Sequence, residues 1–154
     1  MPGVIETNVL TQVGFIVRDI EKSRKKFAAF FGVEPPQVID GGKYEVTGAT
    51  VGGRPAPDAN CHMAFFNAGP NVQIELIEPN GVKSTWQDFL DEHGEGIHHI
   101  AFVVKGMDEK IAACETFGMT CVQRGKYGDA SGEYAYMDAS EDLKCIVELL
   151  ENYR

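Results

Sequence analysis

Two short segments of this chain occur twice. Gln12-Val13-Gly14-Phe15-Ile16-Val17-Arg18 matches His99-Ile100-Ala101-Phe102-Val103-Val104-Lys105 position by position, and Ile74-Glu75-Leu76-Ile77-Glu78 matches Val147-Glu148-Leu149-Leu150-Glu151. An internal repeat constrains architecture more tightly than local propensity does, because units that cannot bury an apolar face alone must bury it against one another. There are two copies, with a period well above that of a solenoid, so a pseudo-two-fold fold is expected and not an array.

The segments between the repeated stretches specify the rest of the unit. Val9–Val17 is β-branched and reads as a strand. Asp19 is a candidate N-cap, Ile20, Phe27, Phe30 and Phe31 fall near helical spacing, and Gly32 supplies a stop. Strand-like pieces follow near Gln37–Asp40, Tyr44–Val51, Cys61–Asn67 and Val72–Ile77, with a loop at GGRPAPDAN, residues 52–60. Ser84 with Gln87 forms a capping-box pattern ahead of Trp86, Phe89 and Leu90. The pattern then restarts: strand Ile97–Val104, a helix capped by Asp108 and stopped at Gly118, and strands near Met119–Gln123, Glu133–Asp138 and Lys144–Leu150. The expected class is α+β, with two tandem βαβββ modules forming one curved mixed sheet. One domain is expected over residues 1–154, with modules at about 8–80 and 96–151 joined by a helix at about 83–94.

Four polar residues break the apolar faces at repeat-equivalent places: Gln12 with His99, and Glu75 with Glu148. A buried charge is costly unless paired or coordinated. Singly, each of the four reads as an ordinary solvent-facing or satisfied polar residue. A two-fold relation, however, would bring all four to one point. An imidazole, an amide oxygen and two carboxylates there would hold one divalent ion, with Zn, Co, Ni and Mn all compatible. His98 lies one position off the repeat, and strand alternation sends it to the opposite face.

Charge excludes some partners. The chain carries −9 at neutral pH, which argues against nucleic acid, whose phosphates require a basic footprint. No apolar run approaches the roughly 20 residues of a membrane span, and the N-terminus lacks a signal-like pattern, so a cytoplasmic protein is expected. Cys61, Cys114, Cys121 and Cys145 form no CxxC pair and read as reduced thiols. Arg18, Arg54, Arg124 and Lys126 could meet an anionic group but read first as surface charge.

The residues resemble the vicinal-oxygen-chelate superfamily, also called the glyoxalase/bleomycin-resistance/dioxygenase superfamily, over nearly the whole chain. Val13–Ser23 is similar to its opening strand and helix. The stretch Val72–Pro79, the connector helix, and Gly94-Glu95-Gly96-Ile97-His98-His99-Ile100-Ala101-Phe102 together resemble methylmalonyl-CoA epimerases. The resemblance implies metal ligands at Gln12, Glu75, His99 and Glu148, and Glu148 and Glu75 as the catalytic carboxylates. It also implies abstraction of a proton beside a carbonyl, and a homodimer. Gln12 stands where bacterial epimerases usually have His; the Gln, Glu, His, Glu set resembles zinc-type glyoxalase I instead and counts against an extradiol dioxygenase. The second acid/base group of an epimerase has no clean equivalent: Cys61–Phe66 lacks a carboxylate, leaving His62 or Glu45 as substitutes. Asp138-Ala139-Ser140 replaces a His-Pro common in epimerases and implies a different pocket rim. Three activities remain open: an isomerase or epimerase on an acyl-CoA or α-hydroxycarbonyl compound, glyoxalase I on a glutathione hemithioacetal, and a metal-free small-molecule binder.

Overall fold

A computed structural model describes residues 3–153. Module one begins with strand β1 (Leu10–Ile16) and helix α1 (Ile20–Phe31). Asp19 caps α1 by accepting the Lys22 N–H at 3.1 Å, and the chain turns left-handed at Gly32, as the sequence predicts. Ile20 and Ala28 are buried, but Phe30 is 85% exposed. At about 100° per residue, Phe30 falls roughly 80° off the stripe carrying Ile20, Phe27 and Phe31, so it points to solvent rather than into the core.

The next segment departs from expectation. Only Ile39–Asp40 pairs as strand β2. Tyr44–Thr47 is a single helical turn, α2, closed by Gly48, and not part of a strand. Thr50–Val51 (β3), the end of the expected Tyr44–Val51 strand, forms a small hairpin with Arg54–Pro55 (β4), which lies within what the sequence marks as loop. Gly52 and Gly53 both take positive φ, 60° and 78°, which is what a two-residue hairpin turn demands. Strands β5 (Cys61–Asn67) and β6 (Gln73–Pro79) complete the module.

Helix α3 (Thr85–His93) is the connector. Ser84 accepts the Gln87 N–H at 3.0 Å, but the reciprocal half of the capping box is absent because the Gln87 carbonyl takes the Gly81 N–H instead. Module two runs β7 (Gly96–Val103), α4 (Met107–Phe117), β8 (Thr120–Lys126), β9 (Gly132–Asp138) and β10 (Ile146–Asn152). Asp108 does not cap α4; it lies in the first turn, behind a side-chainless Gly106 N-cap. The cap comes from Glu151 on β10, whose carboxylate accepts the Gly106 and Met107 N–H groups at 2.9 and 3.0 Å. Glu78, its repeat partner, accepts the Ile20 N–H of α1 at 3.0 Å.

All ten strands form one mixed, curled sheet in the order β2-β5-β6-β1-β7-β10-β9-β8-β3-β4. The order β1-β6-β5-β2 repeats as β7-β10-β9-β8, and the β3–β4 hairpin of module one extends the far edge through β8. Helices α1 and α4 cover one face, packing on Leu76, Ala64 and Phe66 and on Met137, Val147 and Leu149 respectively. Helix α3 packs on the other, burying Trp86 and Leu90 against Ile16, Ile77 and Tyr136. No helix among the described residues is long and apolar enough to cross a membrane.

Candidate metal centre

The antiparallel pair β1·β7 carries the pseudo-two-fold. Val13 faces Ile100, Gln12 faces Ala101, and Gly14 faces His99. Each strand is flanked in parallel by the last strand of its own module, with Glu75 beside Gly14 and Glu148 beside Ala101. Gln12, Glu75, His99 and Glu148 therefore converge, and all four are 5% exposed or less. His99 Nε2 lies 2.8 Å from the Gln12 amide, 3.1 Å from Glu148 Oε1 and 3.4 Å from Glu75 Oε1.

Gly14 makes this possible. A Cβ at that position would fall 2.0 Å from His99 Cε1, so the imidazole lies flat across the strand only where a side chain is missing. The equivalent position in module two is Ala101, opposite the flexible side chain of Gln12.

The donor set fits a divalent ion. Metal–ligand bonds of roughly 2.0–2.2 Å place neighbouring donors roughly 2.8–3.6 Å apart in octahedral or tetrahedral geometry, close to the spacing seen here. Glu75, His99 and Glu148 each offer a ligand atom within 4.8 Å of the others. The Gln12 amide has two settings. With its oxygen inward, it faces only acceptor atoms, an arrangement that a cation would relieve. With its nitrogen inward, it lies within donating distance of Glu75 at 3.1 Å, Glu148 at 3.0 Å and His99 Nε2 at 2.8 Å, and its two protons serve at most two of these. Burial opposes charge on His99, but the adjacent Glu148 and Glu75 carboxylates outweigh it and raise the imidazole to about 9. Burial also pushes the Glu75 carboxyl above its ordinary range, against the hydrogen bond from His99 and with the help of Glu148.

His98 is not on the opposite face. The register of β7 slips between Gly14↔His99 and Phe15↔Ile97, and this bulge folds His98 in beside its neighbour. It is 1% exposed, its Nδ1 lies 2.8 Å from His99 Nδ1, and its Nε2 lies 3.2 Å from Thr85 Oγ1. Burial and the neighbouring His99 hold its pKa well below the ordinary value. His98 thus orients the ring whose other nitrogen faces the cluster.

The cluster sits in a cavity of about 640 Å³ whose walls include Thr11, Met63, Phe65, Trp86, Tyr127, Tyr134 and Tyr136. Asp40, Asp129 and Lys126 also line it. The two candidates for a second acid/base group do not. His62 points outward, half exposed, 3.4 Å from Glu78 and 3.8 Å from Asp40; Glu45 is exposed on α2. Asp138-Ala139-Ser140 is also outside the lining, closing a turn in which Asp138 accepts from the Ser140 N–H and hydroxyl. Arg124 is held by Asp108 and Glu133, each at 2.8 Å, and Lys126 alone of the four basic candidates lines the cavity. All four cysteines are free thiols; Cys61 lines the cavity, and burial with the nearby Glu75 pushes its pKa well up. Sequence reasoning missed Trp86, Tyr134 and Tyr136 as cavity residues. The spacing Tyr134-Ala135-Tyr136, two phenols on one strand face, is the signal that could have found the latter two.

A curled sheet of paired βαβββ units around a Gln/Glu/His/Glu cluster defines a vicinal-oxygen-chelate protein. The family description of the Glyoxalase/Bleomycin resistance protein/Dioxygenase superfamily matches residues 11–136, and the chain belongs to that superfamily. Among solved structures, a methylmalonyl-CoA epimerase from Mycobacterium tuberculosis is similar over 99% of this chain and 91% of that one (TM-score 0.67, 20% identity). A Streptomyces coelicolor methylmalonyl-CoA epimerase in complex with 2-nitronate-propionyl-CoA is similar over 96% of this chain and 99% of that one (TM-score 0.66, 19% identity). Likeness at such identities concerns the fold. The uncharacterized protein YqjC of Bacillus subtilis is 35% identical over 91 residues, 58% of this chain and 64% of that protein.

Proposed function

We propose that this protein is a divalent-metal-dependent isomerase or epimerase that moves a proton at a carbon next to a carbonyl. The observation that carries this reading is the convergence of Gln12, Glu75 and Glu148, which line the cavity, on the His99 imidazole buried behind them. These four residues would hold the ion, which would act as a Lewis acid on substrate oxygens and favour loss of the adjacent proton. Gln12 contributes a neutral donor, so the two carboxylates balance the charge of a divalent cation. Glu148 accepts the proton as the C–H bond breaks and its electron pair moves toward the carbonyl, and it returns the proton when the bond re-forms. Glu75, on the other side of the His99 imidazole, would be the second carboxylate able to carry a proton during turnover. The apolar walls exclude bulk water from the carbon that has lost its proton.

The substrate is a small molecule with two oxygens placed to chelate, an acyl-CoA thioester or an α-hydroxycarbonyl compound. The epimerase neighbours, one solved with an acyl-CoA analogue, support the thioester. The amide at Gln12 favours a second reading, glyoxalase I acting on a glutathione hemithioacetal, because that donor set resembles the zinc-type enzymes.

The test is metal content by mass spectrometry, followed by proton NMR of substrate solvent exchange in D2O. One ion per chain and exchange at the α-carbon of methylmalonyl-CoA support the epimerase; conversion of methylglyoxal plus glutathione supports the second reading. Neither bound metal nor exchange on any substrate would leave a binding protein. Full turnover by Glu148→Gln would sink the assignment of the base.

A further inference from the structure

The hydrogen bonds behind the cavity wall have a fixed direction. A backbone N–H only donates, so the Thr85 N–H bond of 2.8 Å fixes Gln123 Oε1 as its acceptor. That choice points the Gln123 amide nitrogen at Tyr134, whose hydroxyl accepts it at 3.2 Å. An indole N–H also only donates, and Trp86 Nε1 gives its proton to the Tyr136 hydroxyl at 3.0 Å. Both phenols thus act as acceptors toward groups that cannot accept in return. Each keeps its own proton to donate, and neither proton goes to a protein acceptor among the described residues. Both tyrosines line the cavity, and the Tyr136 ring lies 5.2 Å from that of His99.

We propose that Tyr134 and Tyr136 form a pair of hydroxyl donors, set by Gln123 and Trp86, that binds an acceptor oxygen of the substrate beside the metal-ligand cluster. The inference rests on the proposed proton-transfer chemistry and narrows its substrate. The reacting compound presents a carbonyl-type oxygen to the two phenols, and that oxygen gains charge as the adjacent carbon loses its proton. Donors placed where charge develops lower the barrier more than they tighten ground-state binding. The arrangement selects an oxygen acceptor and disfavours a substrate that carries an N–H or an apolar group at that place.

The experiment uses the purified protein, metal-loaded and metal-free, with acetohydroxamate as an anionic oxygen probe and imidazole as a ligand lacking oxygen. Isothermal titration is run on wild type, Tyr134→Phe, Tyr136→Phe and the double variant. Each single change should weaken acetohydroxamate roughly tenfold, as expected for a lost hydrogen bond to a charged group. Imidazole affinity and metal stoichiometry should stay unchanged, which a merely structural role would not give. Should Tyr136→Phe fail to fold, Tyr134→Phe carries the test alone. Equal acetohydroxamate affinity in wild type and variants overturns the donor pair while leaving the metal reading intact. A wild type that takes up no metal overturns the isomerase reading. In that case, metal-free acetohydroxamate binding lost in the variants retains the pair as an oxygen-recognition site, and no binding overturns it too.

Discussion

At the scale of single residues, the site depends on what is missing as much as on what is present. Gly14 leaves the space that the His99 ring occupies. Gly14→Ala should displace that ring and weaken metal uptake at least tenfold, measured by competition with a chromophoric chelator. Ala101→Phe, opposite Gln12, probes the equivalent place in the other module. An unaltered affinity in Gly14→Ala would mean the imidazole has room to move. His98 acts one step further out: Nδ1 to Nδ1 at 2.8 Å, it fixes which nitrogen of His99 faces the cluster. His98→Phe keeps a ring in a pocket already bounded by Phe89 and Tyr136 but removes that bond. Metal affinity should fall about 10- to 100-fold, with secondary structure retained by circular dichroism.

At the scale of elements, the repeat does more than place the four residues of the cluster. Three residues after each repeated carboxylate of the cluster, Glu78 and Glu151 cap the first helix of their own module. The last strand thereby fixes both the site and the helix packed behind it, so the position of the cluster is tied to the docking of α1 and α4. The Gly106 and Met107 N–H groups hold the Glu151 carboxyl below its usual range. A depressed folded-state pKa stabilises the protein above the unfolded value and loses that contribution as pH falls through the folded value. Glu151→Gln should lower Tm at pH 7 by about 2–4 °C, and the difference from wild type should shrink as the pH falls below the carboxylate range. A constant difference across a pH series of melting curves would argue that the loss is steric. The connector helix α3 has a comparable double duty: Thr85 and Trp86 begin it, and their bonds to Gln123 and Tyr136 tie it to the cavity wall.

At the scale of the whole molecule, the cluster lies where two modules meet, so binding there couples to the stability of both. A bound ion stabilises the folded state by mass action. Chelation with EDTA should therefore lower Tm, and re-addition of Co, Ni, Mn or Zn should restore it in the order of their affinities. The double variant His99→Ala with Glu148→Ala should show no response to either treatment; a shift like that of wild type would place the ion elsewhere. The two modules are not equal halves. Module one shortens its second strand to Ile39–Asp40 and sends the β3–β4 hairpin across to the edge of β8, so module one extends the half of the sheet that module two forms.

The sequence by itself determined the paired βαβββ order and the equivalence of Gln12 with His99 and of Glu75 with Glu148. These follow from local patterning: strand alternation, the caps at Asp19 and Ser84, the stops at Gly32 and Gly118, and two matched segments. Only the tertiary structure decided how residues distant in the chain meet. The bulge in β7 that turns His98 inward comes from a register between β1 and β7 that no single segment encodes. The cap of α4 comes from Glu151 and not from the nearby Asp108, because Gly106 has no side chain and β10 runs beside the helix N-terminus. Residues 44–51 read as a strand by composition, yet the glycines around them close a helical turn and a hairpin that finds its partner in β8. Phe30 fits a helical spacing but not the stripe that the sheet covers. Periodicity records which residues can share a face; which faces meet, and which hydrogen bonds cross between them, is settled by packing the whole chain at once.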